Sequence, residues 1–86
     1  MPRISFFFGI SIYMFFTDHP YPHFHAYYGE YGAIINIQTL EVMEGKLPPR
    51  ALRLVREWAE LRRDELMQDW ELARRREPLL KIEPLE

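Results

Sequence analysis

The chain has 86 residues, many of them aromatic, and no cysteine, so it can build one hydrophobic core but has neither disulfides nor thiolate metal ligands. Its formal net charge of −2 points to no class of partner. Residues 50–86 carry nine basic and nine acidic side chains, a balance that favours a solvated helical surface over a duplex nucleic-acid site. We therefore expect no tight binding to DNA, whereas binding to RNA is not excluded.

An apolar run extends from Phe6 to Phe16. Its eleven residues fall well short of the roughly 20 that a membrane-spanning helix needs. The polar sequence Asp18-His19-Pro20 follows it, rather than the small residues of a signal-peptide cleavage site. We interpret the run as a buried strand and expect a cytoplasmic protein without a membrane partner.

The first half of the chain alternates apolar and mixed positions, which predicts strands. Residues 4–17 are predicted to form one strand with a bend or bulge at Gly9. Residues 18–22 form a loop, residues 23–28 and 31–37 form two further strands around a Gly29-Glu30 turn, and residues 41–44 form a short fourth. On this register one buried face contains Met14 opposite Ala26, together with Phe16, Phe24 and Ile35.

The second half changes to helical periodicity after Leu47-Pro48-Pro49. Apolar stripes that include Val55, Trp58 and Trp70 predict two helices, the second capped by Asp64, and a single bent helix is the alternative. The predicted architecture is a single α+β domain over residues 1–86. It has an antiparallel meander of three to four strands (residues 1–44), two C-terminal helices (residues 48–76) and an extended tail (residues 77–86).

The three histidines lie within seven residues, at positions 19, 23 and 25. On a strand, the His23-x-His25 spacing places both imidazoles on one side, about 7 Å apart. With His19 or Asp18 from the loop, they are candidate ligands for zinc or another divalent transition metal.

Two other interpretations of the same residues remain open. His19, His23 and His25, with Tyr27, are candidate acid–base catalysts, because imidazole exchanges protons near neutral pH. Alternatively, the histidines hydrogen-bond carbonyl groups of the proline-containing loop, or pack on Phe15 and Tyr27, and have only a structural role.

The strand face opposite the apolar one is also aromatic. Its residues Tyr13, Phe15 and Tyr27 form a predicted partner surface, because a large half-apolar face normally contacts another element or another protein.

The sequence DHPYPHFHA (residues 18–26), with YGEY (residues 28–31) and EGKLP (residues 44–48), resembles a bacterial family of small proteins, domain of unknown function number four thousand one hundred and sixty. Tyr21 stands where that family's pattern has proline. The resemblance implies a gene neighbour that encodes another small protein, and a toxin–antitoxin pair in which this chain is the toxin. It supplies no established catalytic residue.

The sequence therefore favours an interaction protein that works with a small cognate partner or with a second copy of itself. One alternative is a small metal- or histidine-dependent enzyme that acts on RNA, and another is a metal-binding module without catalysis. Whether the chain is an enzyme stays open at this point.

Overall fold

The structure, a computed structural model, describes residues 3–15 and 20–86. The strands precede the helices along the chain. The elements are β1 (Arg3–Phe7), β2 (Ile10–Tyr13), β3 (His23–Tyr28), β4 (Tyr31–Asn36), β5 (Val42–Lys46), α1 (Pro49–Leu61) and α2 (Arg63–Arg74). The strands pair antiparallel in chain order in one sheet. The predicted α+β meander followed by two helices is confirmed, with five strands instead of three to four.

The prediction of one long first strand is wrong, because the chain reverses at Phe8-Gly9. These residues have φ values of 51° and 80°, as a two-residue hairpin turn of type I′ requires. Phe7 consequently pairs with Ile10, and both are buried. A single straight strand would place Phe6 and Phe8 on the apolar face with Ile10. The reversal instead turns Phe6 outward and leaves Phe8 in the turn, so they are 50% and 59% exposed.

The predicted register of the central hairpin is confirmed. Phe24 pairs with Ile35 and Ala26 with Ala33 across β3 and β4, and Gly29 has the positive φ of 58° that the turn needs. Between β2 and β3 the register differs by two residues, because Ile12 rather than Met14 lies opposite Ala26. A shift of two keeps every side chain on its face, so the assignment of faces still holds. Phe16 lies outside the described residues.

The two helices supply the other half of the core. The Trp58 ring of α1 is fully buried, with its centroid 5.2 Å from that of Phe7 and 5.9 Å from that of Phe24. Val55 and Trp70 are buried as well, as predicted. Each such side chain contributes about 1.5–3 kcal/mol when it is removed from water.

The helical region consists of two helices, since α1 ends at Leu61 and α2 begins at Arg63. Arg62 separates them with φ −114° and ψ 22°. Asp64 is not the predicted cap. It lies in the first turn of α2, where acidic side chains are favourable. Among the described residues, no helix is long and apolar enough to cross a membrane.

Residues 77–86 follow as an extended segment along the β1 edge. The Ile82 N–H donates to the Ile4 carbonyl (2.8 Å), and the Trp58 Nε1–H donates to the Glu83 carbonyl (2.7 Å). The Leu80 N–H donates to Asp69 Oδ1 (3.0 Å). Burial raises the pKa of Asp69, the Leu80 N–H opposes the shift, and the charge of Glu65 adds to it.

Candidate functional site

The side of the sheet that faces away from Trp58 carries the residues to which the sequence drew attention. Neighbouring residues on a strand point to opposite faces, so this outer face lies behind the buried row of Ile12, Ala26 and Ala33. Two cross-strand rows form its centre. One contains Tyr13, His25, Ile34 and Glu44, and the other contains Ser11, Tyr27, Gly32 and Lys46.

Aromatic rings form a continuous cluster on the outer face. The Tyr13 ring stacks on Phe15 with centroids 5.8 Å apart and meets Tyr27 edge-on at 5.6 Å. Phe15 in turn contacts the His25 ring edge-on at 4.8 Å. These are favourable aromatic separations. Tyr13, Phe15 and Tyr27, the predicted partner surface, therefore lie together, and 41% of Tyr27 is exposed.

Gly32 determines where the Tyr27 ring lies, although sequence reasoning assigned it no role. A Cβ at this position would stand 2.9 Å from Tyr27 Cδ1. The ring therefore rests directly on the backbone of the neighbouring strand, and a larger residue at position 32 would displace it.

A shallow groove of about 310 Å³ lies beside the cluster. His25, Tyr27 and Glu44 are its polar lining residues, and Tyr27 Oη lies 3.4 Å from His25 Nδ1. Glu44 was not predicted as a site residue, because only the pairing of β5 with β4 brings it into the row of His25. Its backbone lies two strand spacings, or about 10 Å, from the backbone of His25. An imidazole, a phenol and a carboxylate around one groove can exchange protons with a bound molecule.

His23 lies on the same side of the sheet as His25, as the strand spacing predicted, but its ring is not open to solvent. It is fully buried, with its ring 5.0 Å from that of Trp70 and 5.5 Å from that of Tyr21. The Tyr21 carbonyl can only accept, so the Nδ1–H of His23 donates to it (3.0 Å). Trp70 of α2 covers His23 at the start of β3. The alternation of residues along a strand does not predict this contact with a helix. This loop-carbonyl bond is the kind that the structural interpretation proposed.

The centroids of the His23 and His25 rings lie 5.5 Å apart. Two imidazoles on one tetrahedral ion have centroids about 5 Å apart, so the separation meets one of the conditions for a shared metal. Within residues 3–15 and 20–86, no group of three His, Asp or Glu side chains is arranged to hold an ion. The other two predicted ligands, His19 and Asp18, lie outside the described residues, and the metal set remains a prediction.

Residues 9–71 match the model of a protein family described as domain of unknown function (DUF4160). The matched segment contains β2 to β5, α1 and most of α2, and so the whole candidate site. No curated protein and no solved structure matches the chain.

Proposed function

The chain belongs to the DUF4160 family, and we propose that it is the toxin half of a toxin–antitoxin-like pair and binds its partner through the outer face. The partner is a small protein encoded by a neighbouring gene. The division into toxin and antitoxin rests on the sequence resemblance, and the aromatic rings of the outer face support our choice of that face as the binding surface. One observation carries it: the contiguous cluster of Tyr13, Phe15, Tyr27 and His25 on the outer face of the sheet.

The cluster has the chemistry of a protein-binding surface. Tyrosine rings provide a large contact area with few rotatable bonds and a hydroxyl group for a hydrogen bond, and they are enriched among energetically dominant interface residues. A second groove, of about 480 Å³, extends the surface beyond Phe15 towards Arg76 and Leu79. A partner protein bound to the aromatic cluster could place one of its own side chains in this second groove.

The edges of the sheet are less suited to a partner than its face. The Ile82 N–H occupies the Ile4 carbonyl on the β1 edge. The β5 edge has an irregular register at Ile34/Ile35, a left-handed Gly45 (φ 79°) and the exposed Lys46. Bulges, edge lysines and covering segments hinder the addition of another strand. The outer face is therefore the surface that we assign to the partner.

The proposal is tested by expressing the chain and its gene neighbour from separately inducible promoters. We expect the chain alone to slow growth, the neighbour to restore growth, and the two proteins to purify together. Tyr13→Ala should weaken co-purification, because it removes the ring that contacts both Phe15 and Tyr27. No effect on growth together with no complex would refute the proposal.

A histidine-dependent nuclease is the second candidate function. It is favoured by the groove that joins His25, Tyr27 and Glu44, since paired proton donors and acceptors catalyse phosphodiester cleavage. A labelled single-stranded RNA tests this function. The nuclease function is supported if the parent chain cleaves the RNA, His25→Asn loses this activity and Tyr31→Ala retains it. If the parent chain does not cleave the RNA, the nuclease function is wrong.

The metal-dependent form of this candidate needs its own measurement. We expect untagged protein that contains His19, His23, His25 and Asp18 to take up zinc in a titration. Binding should weaken as the pH falls below about 6.5, because ligating imidazoles must be neutral. Zinc uptake that is the same in His25→Asn as in the parent chain would contradict this ligand set.

A further inference from the structure

On the helical side of the sheet, away from the outer face, a groove of about 270 Å³ lies between the Phe8-Gly9 turn and the start of α1. We infer that this groove binds a peptide segment of another protein that places an apolar side chain next to a carboxylate. The inference goes beyond the proposed function, because it concerns a different surface and a different ligand.

The walls of the groove are apolar and partly open. Phe8 is 59% and Tyr28 40% exposed, and Leu54 of α1 is half-buried. The Tyr28 ring packs on Gly9, where an added Cβ would lie 3.3 Å from Tyr28 Cε1. The volume is large enough for one leucine or phenylalanine side chain between these walls.

Phe8 has this exposed position at a conformational cost. Its φ of 51° lies in the left-handed region, which bulky residues rarely adopt. The first position of a type I′ turn favours asparagine, aspartate or glycine. An exposed aromatic ring therefore stands where local backbone energetics favour a small polar residue, as at sites where strain serves function.

The positive charge of Arg50 favours a ligand that carries a carboxylate. Arg50 is the one charged side chain among the seven residues that line it. The first turn of α1 contains no acidic residue, and Arg50 takes part in neither ion pair found among the described residues. A carboxylate next to the apolar side chain of a ligand would meet this guanidinium, which binds carboxylates in a fork geometry.

The inference is tested by fluorescence anisotropy with a fluorescein-labelled peptide of alternating glutamate and leucine. We expect saturable binding, with the matched lysine–leucine peptide and the glutamate–alanine peptide each bound about ten-fold more weakly or worse. Arg50→Gln should weaken binding of the glutamate–leucine peptide by about five-fold and reduce its dependence on salt.

Phe8→Asn separates recognition from folding. It creates an Asn-Gly turn, so we expect the melting temperature to rise by about 3–6 °C. Peptide binding should nevertheless weaken about ten-fold, because one wall of the groove is lost. Phe6→Thr is the matched control. It removes a 50% exposed phenylalanine from β1 outside this groove and should leave peptide binding unchanged.

Three results would overturn the inference. They are no saturable binding of the glutamate–leucine peptide, equal binding of the lysine–leucine peptide, and undiminished binding to Phe8→Asn. The toxin–antitoxin proposal is unaffected by these outcomes, because its partner is measured on the outer face through Tyr13 and Tyr27.

Discussion

Gly45 shows how closely backbones approach at one edge of the sheet. It has a φ of 79°, and a Cβ there would collide with the Gly32 carbonyl oxygen and lie 3.1 Å from Ala33 Cα. Both obstacles are backbone atoms, so no rotation of a side chain relieves them. Gly45 therefore holds β5 against β4 next to Glu44, and Gly32 on the other strand supports the Tyr27 ring. Two glycines thus fix two of the candidate site residues.

Gly45→Ala should lower the free energy of unfolding by about 3 kcal/mol or more, since it combines a left-handed backbone with a steric clash. Gly29→Ala is the matched control. Gly29 also has a positive φ (58°), but nothing lies within 4 Å of its added Cβ, so we expect a loss of about 1 kcal/mol. Urea denaturation measures both values. Equal losses would show that the close approach at Gly45 is unimportant.

The burial of Asp69 predicts the sign of a pH dependence in the stability of the fold. Its pKa is raised by burial, so the folded chain binds this proton at a higher pH than the unfolded chain does. The resulting stabilisation is present in acid and is lost as the pH rises through the pKa of the folded state. Asp69→Asn removes the titration and keeps an oxygen for the Leu80 N–H.

We therefore expect the stability of Asp69→Asn, relative to the parent chain, to increase between about pH 3 and pH 7. The measurement is urea denaturation of both proteins at several pH values. The buried amide of the variant can change its stability by a constant amount, but this amount does not depend on pH. The direction in which the relative stability changes with pH is therefore unaffected. A relative stability that stays constant, or falls as the pH rises, would contradict the burial of an ionisable Asp69.

At the scale of elements, hairpins with a sequence signature were predictable and those without one were not. Gly29 marked the β3–β4 turn, and the apolar residues on either side set its register. The β1–β2 turn was missed, because its first residue, Phe8, is a residue that normally continues a strand. Glu44 entered the candidate site only through the pairing of β5. Closure of Trp70 over His23 depends on tertiary packing, which strand periodicity does not contain.

Residues 77–86, which have no regular secondary structure, contribute to the stability of the fold through Ile82. Ile82 is 4% exposed, so Ile82→Ala should lower the free energy of unfolding by about 2–4 kcal/mol. Its neighbour Leu80 is 54% exposed, and Leu80→Ala should change stability by less than about 0.5 kcal/mol. Guanidinium denaturation distinguishes them. Similar small effects would mean that the tail does not pack on the body in solution.

In the whole molecule, the helices and the tail cover one face of the sheet, and Trp70 of α2 also covers the His23 end of the other face. Among the described residues, the rest of that outer face is left to the cluster of Tyr13, Phe15 and Tyr27. The periodicity of β2 and β3 was sufficient to predict that these residues share a face with His25. Periodicity did not predict the register, the support of Tyr27 by Gly32 or the groove next to Glu44, because these features depend on how separate strands pair. The peptide groove at Phe8 lies on the other side, so the chain has two surfaces with different chemistry.

The most direct test of the outer face is a calorimetric titration of the purified chain with the small protein encoded next to it. We expect a one-to-one complex that Tyr27→Ala weakens by about ten-fold or more. Tyr31→Ala, which removes a ring of similar exposure (39% against 41%) at the start of β4, should change the affinity by less than about two-fold. Equal affinity for the two variants, or no complex with the parent chain, would contradict the assignment of the outer face as the partner surface.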